Sequence, residues 1–203
     1  MEQINYRHHV IEVAQEECPM NPREDSDNLG TFMMAHNRYE FGDQAAPRDL
    51  GSWGEVKAQA LRDHDVAAIL PVYMLDHSGI TISTTKFSCP WDSGQIGYIF
   101  VTKPQAREWF GYKVITAKRK EALRASLISE IETLDSYVSG QMYAYTVKKL
   151  GGEPLEDGAH AGYCGYDHEK SGLLADAKSE IDAELNTIGE QMEMMFKEEA
   201  ANV

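Results

Sequence analysis

The feature that most restricts the fold is a run of β signals between residues 66 and 102, interrupted only by turn chemistry. Val66–Leu75 is apolar over about one strand length despite Pro71, and Asp76-His77-Ser78-Gly79 is turn chemistry. Ile80–Phe87 then alternates isoleucine with threonine and serine, so the two runs read as a β-hairpin. Ser88–Gly94 reads as a tight loop and Gln95–Thr102 as a further strand. Strands following one another this closely favour antiparallel pairing over parallel crossovers.

The flanks fit the same picture. Residues 5–15 are rich in aromatic and β-branched residues and predict a first strand, Thr31–His36 a second, and residues 37–51 irregular chain. Ser52 and Glu55 form a capping-box pattern for a short helix over residues 53–63. Pro104 suits the first turn of a brief helix through Trp109. Thr116 caps a long one to Ser139, where Leu123, Leu127, Ile131, Leu134 and Val138 form a helical stripe before Gly140. Met142–Leu150 and Ala159–Tyr166 predict a second hairpin. A last helix places Leu174, Ile181, Leu185, Ile188, Met192 and Met195 on one side. The expectation is α+β: a mostly antiparallel sheet with two long helices packed against it and a short helix near 53–63. No linker or repeat marks a boundary, so residues 1–203 read as a single domain, with 169–203 a C-terminal helix that can project.

No apolar run approaches the roughly 18–20 residues a membrane span requires. The N-terminus has no basic and apolar segments of a secretion signal, and three scattered cysteines (Cys18, Cys89, Cys164) predict reduced thiols; the expected location is cytoplasmic. The net charge of −14 disfavours direct nucleic-acid binding. It is unevenly spread: residues 103–124 carry seven cations against Glu108 and Glu121, while 169–203 carry nine acids against three lysines.

Candidate chemistry gathers at strand ends. Asp76, His77, Cys89, Trp91 and Asp92 form the densest group. If Ile80–Phe87 is one strand, His77 and Cys89 lie an eight-residue strand apart, at roughly 3.3 Å per residue, too far for a nucleophile and its base. A catalytic set of His77, Cys89, Asp92 and His168 is therefore only the alternative to turn-building and loop-packing roles. Asp76-His77 and Asp167-His168 together are an alternative metal set, unsupported by any His-x-x-x-His or Cys-x-x-Cys spacing. Glu24-Asp25-Ser26-Asp27-Asn28-Leu29-Gly30 offers oxygens like a calcium loop but lacks the EF-hand spacing and closing glutamate. Lys118, Arg119 and Lys120 oppose the dipole at a helix start, which an anionic ligand or partner would relieve. Met192, Met194, Met195 and Phe196 read as core or dimer seam ahead of a pliable binding surface. No cofactor is expected.

Several segments carry a resemblance. Pro19-Met20-Asn21-Pro22-Arg23 through Asn28-Leu29-Gly30-Thr31, Arg38-Tyr39 and Gly42-Asp43 are one part of it. Ile69-Leu70-Pro71-Val72-Tyr73, Asp76-His77-Ser78-Gly79-Ile80 and Phe87-Ser88-Cys89-Pro90-Trp91-Asp92-Ser93-Gly94-Gln95-Ile96-Gly97 are the other. Together they resemble an uncharacterised protein family encoded in tailed-phage genomes. The likeness is strong in the first half, weak through the Tyr143 and Tyr163 strands, and absent from the last 35 residues. It implies a phage gene product acting in the host cytoplasm, and carries over no catalytic residue. The expected function is that of a phage accessory protein binding a host protein or complex non-covalently, as an inhibitor of bacterial antiviral defence. The alternatives are a small-molecule or nucleotide binder or metal-dependent hydrolase using the strand-end Asp and His residues, and a structural or assembly protein that homo-oligomerises through its last helix.

Overall fold

The computed structural model describes residues 1–24 and 26–201, with side chains at all of these except 156–158 and 196–201. In chain order its elements are β1 (Glu2–Tyr6), β2 (His9–Gln15), β3 (Thr31–Met34), β4 (Gln44–Ala45), α1 (Trp53–Asp63), β5 (Val66–Asp76), β6 (Ile80–Ser83), β7 (Ser93–Thr102), α2 (Lys103–Phe110), α3 (Ala117–Val138), β8 (Met142–Lys149), β9 (Pro154–Cys164) and α4 (Leu173–Ala201). The architecture is α+β, and every strand pair but β3–β4 is antiparallel. Backbone contacts divide the chain into two compact units: Met20–Ser139, and Met1–Pro19 together with Gly140–Val203.

The middle unit holds a five-stranded sheet in the order β4-β3-β7-β5-β6. β7 lies at its centre, and its near-continuous apolar run serves two faces. Ile99 and Val101 join Leu123, Leu127, Ile131 and Leu134 of α3 in one core, while Tyr98 and Phe100 join Val56 and Ala60 of α1 in another. Each leucine so buried contributes roughly 1.5–3 kcal/mol. The helix starts follow the sequence: Ser52 accepts the Glu55 N–H, Thr102 and Gln105 form a capping box, and Thr116 accepts the Arg119 N–H. Pro71 is tolerated because β6 pairs with β5 only from Tyr73 onward, leaving Pro71 with a single neighbour strand.

Arg23 ties this unit together. Its side chain is 4 % exposed, and its guanidinium donates to Asp43, Glu130, Asn28 Oδ1 and the Gly30 carbonyl. Glu130 in turn accepts the Leu29 and Gly30 N–H groups, and Asp43 accepts that of Phe32. Burial works against the charge on Arg23, but the bonds to Asp43 and then Glu130 outweigh it and hold the group above its ordinary pKa.

In the terminal unit the sheet order is β1-β2-β8-β9, and the first turns of α4 pack on it through Leu173, Leu174, Ala177 and Ile181. Residues 5–15 are not one strand. Arg7 and His8 sit at φ 42° and 64° and form a two-residue turn, with Tyr6 paired to His9. Such a turn matches the strand twist but usually carries Asn-Gly, so Arg-His gave no signal. From residue 186 to 195 the helix is exposed: Ile188, Met192 and Met195, expected on its packed side, face solvent.

Candidate functional site

The polar end of the middle sheet assembles what the sequence scattered. The last residues of β3 and β5 and the first of β7 meet there, since Met34 pairs with Gly97 and Leu75 with Ser93. One expectation is corrected at this end. Ile80–Phe87 is not a single strand: β6 stops at Ser83, whose Oγ accepts the Thr85 N–H at 3.0 Å. A hydroxyl offering the backbone this local bond competes with the ladder and ends it. The chain then returns to the turn it came from, so His77 and Cys89 are not held at opposite ends.

Asp92 is the hub of the returning loop. Its carbonyl accepts the Asp76 N–H at 2.8 Å, and its Oδ2 lies 3.2 Å from His77 Nδ1. The Cys89 thiol donates to the same oxygen at 3.6 Å, and Ser93 Oγ donates to the Cys89 carbonyl. Beside it the Asp76 carboxylate is paired with Arg38, whose guanidinium lies 5.3 Å from the centre of the Tyr39 ring. Tyr39 stacks on His36 at 5.1 Å and 10°. A cleft of about 310 Å³ lined by His36, Arg38, Tyr39, Gln44 and Arg48 adjoins the pair. Trp91 lies in the same loop, two residues before β7, and is 90 % exposed.

The chemistry open to this arrangement is limited by its order. Nucleophilic catalysis requires an imidazole beside the thiol and a carboxylate behind the imidazole. Here the carboxylate stands between the two, and His77 and Asp92 are open to water, at 71 % and 41 % exposure. What the bonds do accomplish is to fix the loop's backbone.

The other expected residues lie elsewhere. Lys120 lines a cleft with Val66, Ala67, Ala68 and Ile69, at the start of β5, whereas Asp76 closes that strand. The distance spanned by eleven strand residues, roughly 30 Å or more, separates Lys118, Arg119 and Lys120 from the Asp92 loop. Asp167 and His168 belong to the terminal unit. Asp167 is bound by Lys170 at 2.9 Å, which lowers its pKa, and His168 packs edge-on against Tyr143 at 4.8 Å. Among the described residues no group of three His, Cys, Asp or Glu side chains is placed to hold a metal ion. In the calcium-like loop, Asn28 Oδ1 accepts from Arg23 while its amide donates to Pro22 and Ser26; a guanidinium takes the cation's part, and Asp25 lies outside the described residues. So does the Phe196 side chain, while Met192, Met194 and Met195 are exposed.

Arg38 and His36 are the site residues that reading the chain passed over. Arg38 lies 38 positions from Asp76 and no spacing rule joins them. Fold and site together define an α+β protein that displays a hydrogen-bonded loop with an exposed tryptophan at one sheet end. No protein-family model, no curated protein and no solved structure matches the chain. No helix among the described residues is long and apolar enough to cross a membrane.

Proposed function

We propose that the protein acts by non-covalent binding to a protein partner, and that the Trp91 loop is the contact. The observation that carries this reading is an indole 90 % exposed on a loop whose neighbours Cys89, Asp92 and Ser93 are all hydrogen-bonded in place. Leaving so large an apolar ring in water is unfavourable unless something covers it, and tryptophan is the residue most enriched among interface hot spots. Fixing the loop beforehand lowers the ordering cost of association. Arg38, Asp76 and His77 supply the polar rim such anchors usually have.

The resemblance to tailed-phage proteins gives this binding a setting: a host protein or complex, with a bacterial antiviral defence system as the target class. The hydrolase alternative would draw on the same residues, but the thiol's bonded neighbour is the Asp92 carboxylate and not the His77 imidazole. The test is capture from bacterial lysate by the tagged wild-type chain and by Trp91→Ala, each at low and high salt. A protein retained by the wild type and lost by Trp91→Ala supports the proposal. Equal retention by both, or none at either salt, rejects it. Growth of phage on cells with a defence system, with and without this chain, tests the target class separately.

A further inference from the structure

β5 carries an open edge along its first half. β6 pairs with it only from Tyr73 to Asp76, and among the described residues no strand pairs with that side of β5 over residues 66–72. Which backbone groups face outward there follows from the ladder. Asp43 and Ala46 donate their N–H groups to the Phe32 and Met34 carbonyls, so these two residues face β4 and Met33 faces β7. Ala35, next in that alternation, donates to the Ile96 carbonyl on β7. Met33 pairs with Tyr98 and Thr31 with Phe100, which leaves Gly97, Ile99 and Val101 to face β5 opposite Val72, Leu70 and Ala68. Ile69 and Pro71 lie between those residues and turn their backbone away from β7. Pro71 has no N–H to leave unpaired, but the Ile69 N–H and the Ile69 and Pro71 carbonyls face an edge with no strand on it.

A cleft of about 350 Å³ runs along this edge, lined by β5 at residues 66–69, by Lys57 and Leu61 of α1, and by Lys120, Glu121 and Arg124 of α3. The two helices cover opposite faces of the sheet, α1 on Tyr98 and Phe100 and α3 on Ile99 and Val101. The cleft is therefore the edge of the strand itself, with one helix on either flank. Lys57, Lys120 and Arg124 are exposed, and none is paired with a carboxylate among the described residues. Leu61 is 48 % exposed.

We propose that this edge of β5 takes up an extended acidic segment of a partner protein as an added strand. Main-chain bonds to Ile69 and Pro71 hold the segment, and its alternate side chains fall toward the two helices. Acidic ones on one side meet Lys120 and Arg124, and apolar ones on the other meet Leu61. A second copy of the same edge is disfavoured, because its three cations would be set against three like them. A nucleic-acid strand would satisfy the cations but leaves the Ile69 and Pro71 groups without a matching ladder. The Trp91 loop lies at the other end of β5, where the Asp76 N–H meets the Asp92 carbonyl, so the two contacts are separate.

The probe is a fluorescein-labelled peptide of alternating glutamate and valine, about eight residues long to match a strand, titrated with the full chain at physiological ionic strength and followed by anisotropy. Saturable binding is expected, weakened by about tenfold in Lys120→Glu combined with Arg124→Glu and unchanged in Trp91→Ala. Both substituted cations are exposed, and a circular dichroism spectrum identical to the wild type's establishes that the variant is folded. Alternating lysine and valine is expected not to bind. Nor is the glutamate peptide with every amide N-methylated, which keeps its charges but cannot donate to the edge. Amide hydrogen exchange reads the pairing itself: Ile69 should exchange faster than Leu70 in the free chain and slow when the peptide is bound. The proposal is overturned by absence of binding, by equal binding of the lysine or N-methylated peptide, by an unchanged Ile69 exchange rate, or by a double variant that binds like the wild type. Loss of binding in Trp91→Ala would assign the peptide to the loop and overturn it too. Displacement by oligothymidylate as readily as by unlabelled peptide also overturns it, in favour of a polyanion site without strand pairing.

Discussion

Gly97 lies where β7 runs closest to β3, and a Cβ there would overlap the Met33 carbonyl oxygen and crowd Met34 Cα. Backbone cannot yield as a flexible side chain can, so Gly97→Ala is expected to cost about 1–3 kcal/mol, read from the urea midpoint. An unchanged midpoint would contradict the Met34–Gly97 register. Arg23→Ala leaves Asp43 and Glu130 facing each other without their cation and should cost about 3–5 kcal/mol. Asp135 concerns pH: burial raises its pKa above 3.8 even though its carboxylate accepts the Ile82 N–H at 2.7 Å. A raised carboxyl favours the folded state below its unfolded value of 3.8, and that contribution fades as pH rises through its folded value. Asp135→Asn keeps an acceptor for Ile82 without the buried charge. Its stability relative to the wild type should therefore grow from acid toward about pH 7, and a difference independent of pH would contradict the shift. Glu184 works in the other direction, lowered by Lys149 and then by His9; its contribution is present above 4.5 and lost as pH falls through its folded value.

Among the elements, those with strong local signals were legible. The stripe Leu123, Leu127, Ile131 and Leu134 is buried as its spacing requires, with Val138 partly buried, and Ser52 and Thr116 cap the helices they precede. The misread elements are those ended or turned by weak signals: the Arg7-His8 turn, and β6, stopped by one serine hydroxyl. That single stop matters most, because it returns Cys89 to His77. In α4 the apolar spacing continues past Leu185 with nothing of the described chain covering it, since periodicity marks a face and not its occupant. A chain cut after Thr187 is accordingly expected to keep the wild-type unfolding midpoint, and a lowered one would reveal packing by the removed half.

At the scale of the whole molecule, the −14 charge implies self-repulsion. Thermal midpoints should rise as salt screens it over the range where the Debye length falls from about 10 Å toward 3 Å. The division into units was not legible, because the terminal unit is built from two distant segments and no change of composition marks where Pro19 and Gly140 leave it. Amino-acid order by itself determined the α+β class, the helices with the Ser52 and Thr116 caps, and the β5–β6 and β8–β9 hairpins, since these rest on periodicities and bonds within a few residues. Only the tertiary structure decided which distant side chains meet: Arg38 with Asp76, Arg23 with Asp43 and Glu130, His77 and Cys89 on one Asp92 oxygen. Such meetings depend on strand register and on where a strand stops, and local pattern carries no measure of either.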